Sequence, residues 1–62
     1  MNKYDVVDEW VLSDGYVSVE DWAFDSNYRY EKSTDTWFDE GNNEVNIYEQ
    51  AYAVMETLGL IK

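Results

Sequence analysis

Adjacent carboxylates are the most frequent arrangement in this chain that could do chemistry. Three such pairs occur, at Asp8/Glu9, Glu20/Asp21 and Asp39/Glu40. A glycosidase needs two carboxyl groups at a set separation across a cleft, and a chain of 62 residues has little room for both a cleft and a core. The chain also lacks histidine and cysteine, the usual groups for acid–base chemistry near neutral pH and for thiolate chemistry. We therefore expect solvated acids, no enzyme and no cofactor.

Oxygen-bearing side chains are concentrated between Asp35 and Glu44, where Gly41 offers a turn. This composition suggests a calcium loop, because hard cations are bound by six or more converging oxygen atoms. The spacing does not fit the EF-hand template, D-x-[DN]-x-[DN]-G-x5-E. We therefore expect a polar loop over residues 39–44 and no metal site.

The charge balance limits the class of partner. The chain has 14 acidic and 4 basic residues and a formal net charge of −10. Such a field repels DNA, RNA and anionic membranes and attracts basic surfaces. We therefore expect no direct binding of nucleic acid or membrane. The expected partner is a basic nucleic-acid-binding protein of the nuclease, glycosylase or polymerase class.

Aromatic residues stand beside the acids, for example in residues 20–22 (EDW) and 37–40 (WFDE). Proteins that stack nucleic-acid bases on aromatic side chains also carry a positively charged groove. Aromatic residues beside acids therefore favour a protein that imitates nucleic acid over one that binds it. Carboxylates, about 6.6 Å apart along one face of a strand, would occupy sites where a basic protein expects phosphates, and aromatic side chains would anchor the contact. The residues expected to contact a partner are Glu20, Asp21, Trp22, Asp39, Glu40, Phe38, Tyr16 and Phe24.

Residues 46–61 have the clearest periodicity in the chain. Apolar residues recur there at the three-and-four spacing of a helix, at Ile47, Ala51, Val54, Met55 and Leu58. Asn46 suits the N-cap and Gly59 the left-handed position after the helix. We predict a helix whose apolar stripe, including Val54 and Leu58, is core.

Residues 3–12 fit two patterns. A strand would place Tyr4, Val6, Trp10 and Leu12 on one face, and the β-branched valines favour it. A helix would cluster Val6, Val7, Trp10 and Val11, and Asn2 could cap it. We predict a strand and keep the helix as the alternative.

Residues 13–15 (SDG) predict a hairpin turn, and the alternation after them predicts a second strand over residues 16–24. In that strand Val17, Val19 and Ala23 would meet the C-terminal helix. Tyr16, Trp22 and Phe24 would lie on the opposite face, which a single helix cannot cover.

Residues 28–33 predict a third strand, whose bases Arg29 and Lys32 would protect a sheet edge. Residues 36–38 extend the sheet as a short fourth segment. The predicted fold is α+β: one acidic domain over residues 1–62, in the order β-β-β-(β)-α. A small antiparallel sheet of three strands, or four with residues 36–38, carries one C-terminal helix packed on one face. No apolar run is long enough for a transmembrane helix or a signal peptide, so we expect a cytoplasmic location in a host cell.

In size, charge and aromatic content the chain resembles the small acidic inhibitors carried by phages and mobile elements. Those proteins block uracil-DNA glycosylases, restriction enzymes, CRISPR nucleases or host polymerases, often by occupying a nucleic-acid site. The resemblance implies an inhibitor of DNA-repair enzymes, an anti-restriction protein or an anti-CRISPR protein that mimics nucleic acid. The alternative is a homodimeric interaction module that uses the exposed aromatic sheet face of Tyr16, Trp22 and Phe24.

Overall fold

A computed structural model describes residues 2–61, which form three helices and one three-stranded antiparallel sheet. The elements in chain order are α1 (Lys3–Ser13), α2 (Val19–Asp25), β1 (Arg29–Glu31), β2 (Thr36–Phe38), β3 (Glu44–Val45) and α3 (Ile47–Thr57). The predicted α+β class, with a small antiparallel sheet and a C-terminal helix, is confirmed. The predicted order of elements is wrong in its first half, where two helices replace two strands.

All three helices begin with a side-chain cap. Asn2 Oδ1 accepts hydrogen bonds from the backbone N–H groups of Tyr4 and Asp5 at 2.9 and 3.0 Å. Asn46 Oδ1 does the same for the third helix, as the sequence predicted, and Ser18 caps α2. Each cap satisfies backbone donors that a helix start leaves without partners, which is typically worth about 1 kcal/mol.

All three helices also end in the same way. The residue after each C-cap has a positive φ, +96° at Gly15, +70° at Asn27 and +79° at Gly59. The N–H of the residue that follows bonds to the carbonyl five positions earlier in the chain, as Leu60 does to the carbonyl of Met55 at 3.0 Å. This pair of features is the Schellman motif, in which a left-handed residue stops the helix.

The strand predictions for residues 3–12 and 16–24 are wrong, and the helix kept as the alternative for residues 3–12 is the one that forms. In the first segment Val7 and Val11, four residues apart, are buried, whereas Leu12, which the strand pattern placed inside, is exposed. The 13–15 turn signal is real, but Gly15 ends a helix instead of closing a hairpin. In the second segment the buried residues are Val19, Trp22 and Ala23, at helical spacing, and Val17 is 82% exposed.

The sheet occupies the middle of the chain. The predicted strands over residues 28–33 and 36–38 are confirmed as β1 and β2, and β3 extends the sheet from the end of the polar loop. Tyr30 pairs with Trp37 and Trp37 pairs with Val45, so these three residues share one face. Tyr28 and Trp37 pack against the buried cluster, so the helices cover this face.

The core comes from the helices. It consists of Val7, Val11, Val19, Trp22, Ala23, Ile47, Ala51 and Met55. Burial of a valine or methionine side chain of this kind contributes about 1.5–3 kcal/mol. The expectation that Val54 and Leu58 belong to this core is wrong, because Val54 is 36% and Leu58 61% exposed. Helix α3 buries the narrower stripe of Ile47, Ala51 and Met55, because α1 and α2 pack against that side of it and leave Val54 and Leu58 in solvent.

Two neighbouring positions of α3 test this register with the same change of charge. Met55→Asp should place an unpaired carboxylate in the core and cost about 3–5 kcal/mol, enough to unfold a domain of marginal stability. Val54→Asp should change the free energy of unfolding by no more than about 0.5 kcal/mol, as at an ordinary surface position. Thermal melts followed by circular dichroism measure both, and a folded Met55→Asp variant or an unfolded Val54→Asp variant would contradict the register.

Candidate partner-binding surface

Glu20 and Asp21 lie in the first turn of α2, where negative charge is favourable to the helix dipole. Ser18 Oγ accepts a hydrogen bond from the Asp21 N–H at 3.4 Å, and Asp21 Oδ2 accepts one from the Val17 N–H at 3.3 Å. Asp21 therefore helps to start the helix. Glu20 is exposed and pairs with no residue of the described part of the chain, so its carboxylate is available to a partner.

Trp22 is a core residue. It is only 6% exposed, and its ring centre lies 6.1 Å from that of Trp10 and 5.6 Å from that of Tyr28. A partner cannot reach it without unfolding α2. The aromatic sheet face required by the homodimer alternative does not exist as predicted, because residues 16–24 contain a helix and Trp22 points into the core.

Tyr16 and Phe24 differ in their surroundings. The Tyr16 hydroxyl donates to Asp25 Oδ2 at 2.6 Å, and this hydrogen bond is the main reason why the pKa of Tyr16 is raised to about 12. Phe24 is 59% exposed, and its ring centre lies 4.9 Å from that of Trp37. The ring of Tyr30 lies 5.0 Å from Trp37. Phe24, Trp37 and Tyr30 thus form one aromatic cluster where α2 meets the sheet.

Phe38, Asp39 and Glu40 lie at the end of β2. The guanidinium carbon of Arg29 stands 4.6 Å from the centre of the Phe38 ring, a cation–π contact that covers part of this aromatic surface. Asp39 Oδ1 accepts hydrogen bonds from the N–H groups of Gly41 and Asn43, both at 2.9 Å. The bond from the Asn43 N–H is the main cause that lowers the pKa of Asp39. Asp39 therefore shapes the loop, and Glu40 is left exposed.

Three of the eight predicted contact residues line depressions of the surface, and they do not share one. Asp39 and Glu40 line a cleft of about 280 Å³ beside Tyr28 and Gln50, whose side chains are joined by a hydrogen bond of 3.1 Å. Glu20 lines a different groove of about 350 Å³. No single patch therefore unites the eight residues predicted from the sequence.

The larger depression, here called the Trp37 groove, is built where the start of α2 and the start of α3 approach β2 and β3. It is lined principally by Glu20, Asp35, Trp37, Glu44, Ile47 and Tyr48. Sequence reasoning missed Asp35, Trp37 and Glu44 as site residues. Nothing in the sequence indicated that they meet, because Asp35 and Glu44 lie at the borders of two short strands and only the pairing of those strands brings both near Trp37.

Tyrosine hydroxyls hold three aspartates by hydrogen bonds. Besides the Tyr16–Asp25 bond, the Tyr30 hydroxyl donates to Asp35 Oδ1 at 2.5 Å and the Tyr48 hydroxyl donates to Asp8 Oδ1 at 3.0 Å. Burial first, and then the bond to Asp8, raise the pKa of Tyr48 to about 12. These phenols place a donor beside a carboxylate without adding a positive charge.

The remaining acids are exposed and have no hydrogen-bond or ion-pair partner among residues 2–61. They are Asp5, Glu9, Asp14, Glu20, Glu40, Glu44 and Glu56. The described residues form two ion pairs, Lys3 with Glu49 at 2.6 Å and Arg29 with Glu31 at 3.8 Å. Neither pair compensates the negative charge of these seven acids.

The chain matches no protein-family model, no characterised protein sequence and no solved structure. No helix formed by residues 2–61 is long and apolar enough to cross a membrane. Within the same residues, no three acidic side chains are grouped closely enough to hold a metal ion.

The Tyr48–Asp8 bond predicts a loss of stability in alkali. The folded pKa of about 12 lies above the ordinary value of 10.0, so the stabilisation is complete below pH 10 and is lost as the pH rises through about 12. Tyr48→Phe should lower the free energy of unfolding by about 1 kcal/mol at neutral pH. Above pH 10 its melting temperature should fall less steeply with pH than that of the parent. Tyr52→Phe is the matched control, because the Tyr52 hydroxyl bonds to no residue of the described chain. Equal alkaline profiles for the parent and Tyr48→Phe would contradict this assignment.

The polar loop predicts indifference to calcium. Asp39 Oδ1 already accepts two backbone hydrogen bonds, and Asn42 Oδ1 accepts one from Arg29 Nη2 at 2.9 Å, so these oxygens are not free to converge on a cation. Melting temperatures in excess chelator and in calcium should coincide once ionic strength is matched with NaCl. A rise specific to calcium would show that the loop rearranges into a binding site.

Proposed function

We propose that this protein is a non-enzymatic inhibitor that binds a basic nucleic-acid-binding protein and occupies the site of its DNA or RNA. The observation that carries the proposal is the set of exposed, unpartnered carboxylates on a chain of net charge −10. The target class is a nuclease, a glycosylase or a polymerase, which includes CRISPR nucleases, restriction enzymes and DNA-repair glycosylases. The proposed place of action is the cytoplasm of the host cell.

The charge favours such a target for a physical reason. A nucleic-acid site neutralises several phosphates with lysine and arginine side chains. Carboxylates at Glu20 in α2, Glu40 in the β2–β3 loop and Glu44 in β3 project from three different elements, and none is engaged within residues 2–61. A surface of this kind attracts a basic groove over a distance set by the Debye length, about 8 Å at physiological ionic strength.

Affinity also needs packing, because long-range attraction acts mainly on the association rate. Phe24 is an exposed aromatic side chain that is fixed by its contact with Trp37, and Trp37 lines the same groove as Glu20. A rigid aromatic residue beside charges is typical of the anchors that dominate interface energies. In this proposal the anchors are Phe24, which the sequence predicted as a contact residue, and Trp37, which it did not, and the buried Trp22 is not an anchor.

A competition experiment tests the proposal. The target is first captured from nuclease-treated bacterial lysate and identified by mass spectrometry, and is then purified and loaded with labelled DNA or RNA. The parent protein should displace the nucleic acid, and its affinity should fall with added salt mainly through slower association. If the captured target retains its nucleic acid at saturating protein, the proposal is wrong.

Two quadruple variants separate charge from shape. Changing Glu9, Glu20, Glu40 and Glu44 to Gln removes unpartnered charge, whereas changing the same four residues to Asp keeps it. The Gln variant should compete at least about tenfold more weakly, a loss of about 1.4 kcal/mol, and the Asp variant should remain close to the parent. Asp21 and Asp39 are left unchanged because both hold the backbone. Competition by the Gln variant at the level of the parent would contradict the mimicry of phosphates.

A further inference from the structure

We propose that the free edge of β1 pairs with β1 of a second copy of this chain, so that two three-stranded sheets join into one sheet of six strands. The inference goes beyond the proposed function, because it needs neither a target protein nor the unpartnered carboxylates. In the sheet order β1-β2-β3, β1 is an outer strand, and among the described residues its main contacts are with β2. Its other edge is open to another chain.

The backbone of Tyr30 points to that open edge. Neighbouring residues of a strand direct their N–H and C=O groups to opposite sides. The Asp39 N–H donates to the Asn43 carbonyl at 3.0 Å, so Asp39 is directed towards β3 and its neighbour Phe38 towards β1. Arg29 pairs with Phe38 and is therefore directed towards β2. The N–H and C=O of the next residue, Tyr30, consequently face away from the sheet.

The sequence of β1, Arg29-Tyr30-Glu31, is complementary to itself when two copies run antiparallel. With the two Tyr30 residues on a two-fold axis, their free N–H and C=O groups form both hydrogen bonds of one ladder pair. Each Arg29 then lies opposite the partner's Glu31 in a non-hydrogen-bonded pair, where Cα atoms are about 4.5 Å apart and side chains are closest. Opposite charges in such a pair stabilise a sheet.

The side chains of Arg29 and Glu31 are accessible to a second copy. They project from the sheet face opposite to Tyr30 and Trp37, the face that the helices leave open, and they are 52% and 45% exposed. Within one chain they approach each other only to 3.8 Å, and an exposed pair of this kind contributes little to stability. Pairing of two copies gives each of them a second partner of opposite charge.

The β1 edge is also the region where two copies of this acidic chain repel each other least. The net charge is −10, yet residues 28–34 contain two of the four bases, Arg29 and Lys32, and a single acid, Glu31. Charged residues on an edge strand usually prevent pairing with another chain. That protection is lost where each charge meets its opposite, as it does in the antiparallel register of β1.

Sedimentation equilibrium of the full chain at physiological ionic strength tests the inference without a target. The contact is smaller than a standard protein interface, so we expect a dissociation constant in the range of about 0.1–1 mM. The apparent mass should rise with concentration from that of one chain towards that of two. The backbone amide resonance of Tyr30 should shift over the same range, because its N–H gains an acceptor. A chain that stays monomeric up to about 2 mM, or a Tyr30 amide resonance that does not move, would overturn the inference.

Charge-swap variants locate the contact. Arg29→Glu sets two acids opposite each other, and Glu31→Arg sets two bases opposite each other, so each should raise the dissociation constant about fivefold or more. The two changes alter the net charge in opposite directions, so a loss in both cannot come from the net charge. The double variant, Arg29→Glu with Glu31→Arg, keeps the net charge of −10 and should return to within about twofold of the parent.

A loss that the double variant does not reverse would mean that the copies meet at another surface, and the pairing of β1 would be rejected. Circular dichroism checks that each variant is folded. If a single variant is unfolded, the concentration dependence of the Tyr30 resonance in the parent decides.

The outcomes separate the inference from the proposed function. A monomeric parent that displaces nucleic acid from the target would reject the pairing of β1 and leave the proposed function standing. A dimer that displaces no nucleic acid would do the reverse. A Tyr30 amide resonance that shifts only when the captured target is added would assign the edge to a strand of the target and overturn the pairing of two copies.

Discussion

The burial of Trp22 is the interaction on which the rest of the structure depends. Its indole contacts Trp10 of α1 on one side and Tyr28, at the entrance to β1, on the other. Its neighbour Ala23 is fully buried, and its carbonyl accepts the Tyr28 N–H that ends α2. One short helix therefore joins the helical layer to the sheet, and a chain this small has no second core that could replace it.

Electrostatic repulsion is the constraint that this packing must overcome. Among residues 2–61 two ion pairs exist, and both lie in solvent, where such pairs contribute at most about 1 kcal/mol. The Tyr–Asp hydrogen bonds also stabilise carboxylates, but without a positive charge, because the neutral phenol donates a hydrogen bond to the carboxylate as a water molecule would. Tyr48 does this between α3 and α1, and Tyr16 between the α1–α2 connection and the end of α2. The acids that remain outside such bonds are exposed to solvent, and they carry the proposed function.

Capping residues at the helix ends predict the fold of this chain better than the alternation of apolar residues does. The boundaries of α3 were predictable because Asn46, Gly59 and the apolar period agree. The same signals were present at α1 and α2, in Asn2 with Gly15 and in Ser18 with Asp21, but period-two alternation and β-branched residues outweighed them. That weighting failed because strand preference expresses packing between neighbouring strands, and residues 3–24 pair with no strand of the described chain. Trp37 and Glu44 were not predictable as neighbours of Glu20, since only the pairing of β2 with β3 and the approach of α2 bring them together.

Trp22, which the sequence predicted as a contact residue, is buried, whereas Trp37 lines a groove at the surface. An aromatic residue cannot serve both as the centre of the core and as an anchor for a partner. Trp22 satisfies the first requirement, and its burial fixes α2, which in turn holds Phe24 against Trp37. The accessible aromatic residues are therefore positioned by the buried one, and the acids around them follow from helix starts and strand ends. Under the proposed function a partner would meet aromatic residues that are held in place, because Phe24 contacts Trp37 and Trp37 packs against the core that contains Trp22.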